Sequence, residues 1–191
     1  YAGEELFIRF TIRQRANTEA VPHGTELGTF EFPLPMHEVA RYPLPEYGRE
    51  ELFVKNEENI LQVFNNNIEL WYNMESADIT SYKVDDVEML ASSPKMNFWR
   101  VPTDNDLVDR NAARYWQQLN PDQMVCTVVA STYRQIDKYT VGIDGMLRYT
   151  DKNGNLLFDV KQSITVLYTG DVLVDNEIVA SEHVKTIPKV G

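Results

Sequence analysis

Acidic residues and histidines are the side chains of this protein that could do acid–base or nucleophilic chemistry. There are 29 acidic residues, and glycoside hydrolysis needs two of them facing each other across the scissile bond, but no spacing selects a pair. A Ser-His-Asp triad would need His23, His37 or His183. These fall in a turn, a proline-rich stretch and the C-terminal region, without a nucleophile elbow. We therefore predict no catalytic residue in this chain.

Two acidic runs could offer oxygen ligands to a metal ion. In Asp104–Asp109, Val108 and Asp109 stand where a calcium loop of the EF-hand type needs an oxygen ligand and a glycine. In Asp151–Asn155, the glycine position is taken by Leu156, and a hairpin turn is favoured. We predict no metal site, while a weak calcium or sodium site at Asp104–Asp109 stays open.

The net charge disfavours two classes of binding partner, and the cysteine count excludes one kind of covalent cross-link. The net charge of −11 repels phosphate groups, which disfavours nucleic acid and anionic membranes as partners. The single cysteine, Cys126, excludes an intrachain disulfide, and its apolar neighbours predict a small buried side chain on a strand. No apolar stretch is long enough to span a bilayer.

Most of the chain alternates apolar and polar residues with the period of a half-buried strand. Leu6, Ile8, Phe10 and Ile12 define one face of the first strand, and a second strand follows the turn at Pro22-His23-Gly24. That second strand lies near 30–34, and further strands are predicted near 52–54, 61–63, 68–72, 79–84, 87–90, 124–133, 139–143, 146–150, 156–168 and 172–179. The fold class is therefore all-β.

Turns and one helix complete these elements. Asn65-Asn66-Asn67 predicts a turn because Asn tolerates left-handed backbone. Asn153-Gly154 favours a type I′ turn between two long strands. One short helix is predicted, capped by Asp109, with Ala112, Trp116 and Leu119 on one face and an end at Asn120-Pro121.

A proline-rich stretch, Pro33–Pro45, holds four prolines in thirteen residues and can form neither a ladder nor a helix. It predicts a boundary between residues 1–35 and 51–191, with 36–50 as the connection. The first part has too few strands to close a sandwich, which needs roughly seven strands. The last part breaks off where another strand begins, so we expect a segment of a longer protein.

The sharpest motif is Asn97-Phe98-Trp99-Arg100-Val-Pro-Thr-Asp104-Asn105-Asp106. It resembles the NFWR-x-PTDND signature of long, lactose-cleaving β-galactosidases of glycoside hydrolase family 2. The rest of the chain is similar in order, from a strand pair at 4–34 to Pro188-Lys189-Val190-Gly191. The resemblance implies a partial immunoglobulin-like β-sandwich, followed by the N-terminal part of a small-chain β-supersandwich of the galactose mutarotase type.

The resemblance also implies a function for the whole enzyme and a supporting role for this segment. The catalytic glutamates of the family lie on a barrel outside this chain, so the segment is expected to be inactive alone. It would pack on that barrel and help wall the galactoside pocket. Substrate-proximal candidates are Arg100, Asp104, Asn105 and Asp106; a hydrogen-bonded corner is the alternative for them. Phe98 and Trp99 are expected in the core.

Partners, cofactors and rival functions follow from the same resemblance. It implies no cofactor in this chain, Mg²⁺ and Na⁺ for the parent enzyme at sites outside it, and a homo-oligomeric parent. The compartment stays open between cytoplasm and periplasm. Two other functions stay open for the segment itself: an independent carbohydrate-binding module, and a purely structural or oligomer-interface domain.

Overall fold

The computed structural model describes residues 6–34, 50–108 and 112–191. The described residues form an all-β structure, which confirms the predicted fold class. The chain divides into two compact units, Tyr1–Pro45 and Glu46–Gly191. Most of the predicted proline-rich connection, including His37, and the predicted cap Asp109 lie outside the described residues. The immunoglobulin-like assignment of the first part stays a prediction.

The described residues of the first unit, 6–34, form an antiparallel hairpin. Strand β1 (Phe7–Arg13) pairs with β2 (Glu26–Pro33), and Phe10 lies opposite Phe30. Gly24 makes the intervening turn with φ +83°. The prediction that Leu6, Ile8, Phe10 and Ile12 form a half-buried face is wrong for this structure, because all four are exposed. A two-stranded ribbon has no second layer on which to bury a face.

Five strands of the second unit form an antiparallel meander. They follow one another in the sheet in chain order: β3 (Phe53–Glu57), β4 (Ile60–Phe64), β5 (Ile68–Asn73), β6 (Asp78–Val84) and β7 (Val87–Glu88). Alternate residues of β4 and β5, such as Leu61, Val63 and Leu70, are fully buried. The period of two in the sequence therefore defines an inner and an outer face.

A second sheet has four antiparallel strands in the order β11-β10-β9-β8. These are β8 (Met124–Asp137), β9 (Thr140–Asp151), β10 (Leu156–Leu167) and β11 (Val172–Ala180). The prediction of two strands at 139–143 and 146–150 is wrong: β9 is continuous. Gly145 keeps its strand geometry, paired with Ser131 and Gln162, so the polar Asp144-Gly145 step does not break the ladder.

The core of the second unit is built from the inner faces of both sheets. Tyr72 from the first sheet and Ile143, Phe158 and Val160 from the second belong to one buried cluster. The edge strands contribute less to this core. Cys126 on β8 is exposed, so its predicted burial is wrong. The reason is positional, because β8 pairs only with β9 and one edge of the strand has no described neighbour.

The connection between the two sheets holds the short helices. Helix α1 spans Asp104–Leu107, and three 3-10 helices span Ala112–Tyr115, Gln117–Leu119 and Pro121–Gln123. The prediction of one helix through Ala112, Trp116 and Leu119 is therefore wrong in type. Its buried face is right for Trp116 and Leu119, which are 4% and 0% exposed. No helix in the described ranges has the length and apolarity needed to cross a membrane.

Side-chain caps and left-handed residues make the hairpin turns. Asn65 accepts hydrogen bonds from the backbone N–H groups of Asn67 and Ile68, so that turn forms without the left-handed asparagine that was predicted. The type I′ prediction for Asn153-Gly154 is also wrong, because only Gly154 has a positive φ. Two-residue turns with positive φ at both positions occur instead at Glu58-Asn59 and Asp85-Asp86.

Candidate functional site

The NFWR segment is anchored in the core by Phe98. This side chain is fully buried, stacks on Phe158 with ring centroids 4.1 Å apart, and meets the edge of Tyr149 at 5.6 Å. Asn97 and Gly191 exchange backbone hydrogen bonds, with the N–H of Gly191 3.1 Å from the carbonyl oxygen of Asn97. The expected core position is therefore observed for Phe98, and the segment that follows starts from a fixed point.

Arg100 and Asp106 close the corner by a two-pronged ion pair. Nη1 and Nη2 of Arg100 donate to Oδ2 and Oδ1 of Asp106 at 2.7 and 3.0 Å. The same carboxylate accepts from the backbone N–H and the hydroxyl of Thr103 at 2.6 and 2.8 Å. The Arg100 guanidinium and then the two Thr103 donors hold the pKa of Asp106 far below its ordinary value. Asp106 is therefore an ionised structural group.

Aromatic packing fixes the other side of the guanidinium. Arg100 lies over the Trp116 ring, 4.8 Å from its centroid. The indole N–H of Trp116 donates to the hydroxyl of Thr186 at 2.8 Å. The hydrogen bonds that Arg100 donates to the Asp106 carboxylate raise the pKa of Arg100. The Trp116 ring therefore packs on one face of the guanidinium, and the Asp106 carboxylate binds its N–H edge. This is the geometry of a hydrogen-bonded corner.

The four predicted site residues separate into two pairs. Arg100 and Asp106 are brought together by the ion pair, whereas Asp104 and Asn105 lie exposed in the first turn of α1. Within residues 6–34, 50–108 and 112–191, no group of three His, Cys, Asp or Glu side chains is placed to hold a metal ion. What the corner offers to a ligand is therefore the exposed carboxylate and amide of Asp104 and Asn105.

A groove of about 730 Å³ lies beside the corner. It runs between the 3-10 helices and the β9–β10 turn, and its lining includes half-buried Trp99 and polar side chains from both elements. These polar residues are Arg114, Gln117, Asn120, Gln123, Asp151, Lys152 and Asn153. An indole face beside planar hydrogen-bonding groups is suited to binding a sugar.

One groove residue has a structural task that limits its chemistry. The Asp151 carboxylate accepts from the side chain and the backbone N–H of Asn155 and from the backbone N–H of Asn153, all at 2.8 Å. The Asn155 side chain is the first cause that lowers the pKa of Asp151. Asp151 is an ionised group that stabilises the turn, and the groove as a whole offers binding groups.

Sequence reasoning missed the polar lining of the groove. Asn153 is more than fifty residues from Trp99 along the chain, and only the sandwich topology brings them to one end of the molecule. Arg114 and Gln117 lie on the 3-10 helices. The helical spacing in this segment predicted only its buried apolar residues. No local signal in the sequence marks these positions as neighbours of Trp99.

Comparison with known proteins gives a consistent family. Residues 64–191 match the family described as "Beta galactosidase small chain". Over 190 residues, 98% of this chain, it is 25% identical to a β-galactosidase of Priestia megaterium. It is 27% identical over 76% of its length to one of Alteromonas mediterranea, and 26% identical over 93% to one of Photobacterium profundum.

These matches cover a small part of each relative. The chain spans 17%, 15% and 17% of the lengths of the three β-galactosidases. What it shares with them is therefore one segment.

Proposed function

Because the chain belongs to the β-galactosidase small-chain family, we propose that it is a non-catalytic segment of a β-galactosidase. In this proposal the complete enzyme hydrolyses terminal β-D-galactosides such as lactose. The segment packs on the catalytic barrel and helps wall the sugar pocket. The two carboxyl groups that glycoside hydrolysis requires are then supplied by the barrel, and this chain has no turnover of its own.

The observation that carries the proposal is the rigid corner with an exposed tip. Phe98 is buried, Arg100 is held by Asp106 and Trp116, and Asp104 and Asn105 remain exposed beside the Trp99 groove. Exposed hydrogen-bonding groups on an immobilised support lose little conformational entropy when a ligand binds. That is the requirement for the wall of a pocket whose chemistry lies on another domain.

The proposal assigns roles to the partners of the segment. The catalytic barrel is its protein partner, and the galactoside reaches it only in the complete, homo-oligomeric enzyme. Mg²⁺ and Na⁺ belong to sites outside this chain. Among the predicted residues, Asp104 and Asn105 face the sugar, and Arg100 and Asp106 hold them in position.

Kinetics of the complete enzyme test this assignment. We expect Arg100→Lys to lower kcat/KM for 2-nitrophenyl β-galactoside at least about tenfold, because an ammonium group cannot make the two-pronged pair with Asp106. The purified chain alone should give no turnover of the same substrate.

A second arginine–aspartate pair supplies a matched control. Arg148 donates to Asp159 at 2.8 and 3.2 Å on the outer face of the four-stranded sheet. Arg148→Lys makes the same chemical change and should leave kcat/KM within about twofold. Equal losses for Arg100→Lys and Arg148→Lys, or turnover by the chain alone, would overturn the proposal.

A further inference from the structure

The outer face of the five-stranded sheet carries a hollow that Trp71 helps to line. Strand register places Lys55, Gln62, Trp71 and Ser81 in one row across β3, β4, β5 and β6. The hollow has a volume of about 610 Å³ and is lined by Lys55, Glu57, Glu58, Ile60, Gln62 and Trp71. Its residues come from three adjacent strands and one tight turn, so the floor of the hollow is a sheet.

Hydrogen bonds fix the polar groups around the indole. Nε2 of Gln62 donates to Glu69 at 2.6 Å, and Nζ of Lys83 donates to the other oxygen of the same carboxylate at 3.0 Å. The pKa of Glu69 is lowered, most strongly by the hydrogen bond from Lys83 and less by those from Gln62 and Trp71. Because the Gln62 amide donates towards Glu69, the orientation of its carbonyl oxygen is set before any ligand arrives.

The charges of the hollow select a class of ligand. Lys55 pairs with Glu57 at 3.1 Å, and Glu58 adds a further negative charge at the rim. The resulting excess of negative charge disfavours phosphates and carboxylates. An apolar protein segment is also disfavoured, because burying it here would desolvate three charged side chains.

A neutral pyranose is a ligand class that the lining of the hollow does not disfavour. One face of a pyranose ring carries C–H groups that can stack on an indole, and its hydroxyls can bond to amide, carboxylate and ammonium groups at the rim. The volume lies within the range of small-ligand sites, roughly 300–1,000 Å³. We propose that this hollow is a carbohydrate-binding site of the chain, with Trp71 as the stacking surface and Gln62 and Lys55 as hydroxyl partners. This inference uses no residue of the NFWR corner and does not rest on the proposed function.

Nuclear magnetic resonance of the purified chain can localise such binding. The chain has three tryptophans, so three indole N–H signals report on Trp71, Trp99 and Trp116 separately. We expect titration with lactose, cellobiose or xylobiose to about 50 mM to shift the Trp71 signal saturably, with a Kd on the order of 1–10 mM. Trp71→Ala should weaken this binding about tenfold or more.

A matched control removes an exposed aromatic side chain elsewhere. Tyr133 is 41% exposed on β8 of the other sheet, and Tyr133→Ala should leave the titration unchanged. Gln62→Leu keeps the Trp71 signal as a probe and should weaken binding about threefold or more. The proposed site can therefore be tested even if Trp71→Ala fails to fold. The test then uses the Gln62→Leu titration and the positions of the shifts in the unsubstituted chain.

Three other results of these titrations would refute a carbohydrate site at Trp71. No Trp71 shift with any of the three disaccharides would exclude it. Shifts confined to Trp99 would place sugar binding at the corner groove. Broadening of the Trp71 signal with protein concentration alone would identify the face as a protein interface. Because the Arg100→Lys kinetics do not involve Trp71, failure here leaves the proposed function standing.

Discussion

Replacement of Phe98 by alanine is the sharpest test of how the corner is held. Phe98 is fully buried between a stacked and an edge-on ring, in a cluster contributed by both sheets. Truncation of such a residue costs about 3–5 kcal/mol, as lost transfer energy plus the cavity left behind. For a chain of this size, that corresponds to a fall in Tm of about 6–20 °C.

Urea denaturation and thermal melts of Phe98→Ala and Phe53→Ala would measure this difference. Phe53 is 55% exposed on the outer face of β3, so the same truncation there should cost less than about 1 kcal/mol. The indole signal of Trp99, the next residue, should also broaden in Phe98→Ala and stay sharp in Phe53→Ala. If the two variants lose similar stability, Phe98 does not anchor the segment and the reasoning fails.

Other predictions concern pH, backbone conformation and the cysteine. The Ser81 hydroxyl and two backbone N–H groups lower the pKa of Glu88 from 4.5 to about 2. Its stabilising contribution is therefore present above pH 4.5 and lost as the pH falls towards 2; Glu88→Gln should flatten the unfolding free energy across this window, and an unchanged slope would contradict the assignment. Gly170→Ala should cost at least about 1–2 kcal/mol in urea melts, because φ is +93° and the added Cβ meets side-chain atoms of β5 and β6 at 3.1 Å. Gly145→Ala, where the nearest atom is 3.5 Å away, should instead be neutral or stabilise by about 0.5 kcal/mol. Cys126 should react with one equivalent of Ellman's reagent in the folded chain, more slowly than an unhindered thiol because partial burial raises the pKa of Cys126; a thiol reactive only after unfolding would contradict its exposure.

Strand alternation carried most of the fold prediction. In β4 and β5 every second residue is buried, and the sequence shows the same period. Alternation predicts these strands because each has one face on the core and one on solvent. The local pattern of apolar residues therefore indicates which side chains are buried in the folded structure. The Asp144-Gly145 step misled the prediction because its neighbours in the sheet, which keep it in β9, are remote in sequence.

Features that depend on strand position could not be read from the sequence. Cys126 sits in an apolar run typical of a buried strand, yet β8 is an edge strand and the residue is exposed. For the corner, the motif identified Arg100 and Asp106 but not which group would pair with which. The Trp99 groove depends on a turn at residues 151–155 that only the folded sandwich brings near.

A structure of the complete enzyme with bound galactose would test the central proposal most directly. The proposal predicts that Asp104, Asn105 or Trp99 lies within contact distance of the sugar, about 4.5 Å or less, with the Arg100–Asp106 pair intact behind it. A sugar bound on the barrel with this corner facing solvent or another subunit, far from the pocket, would contradict it.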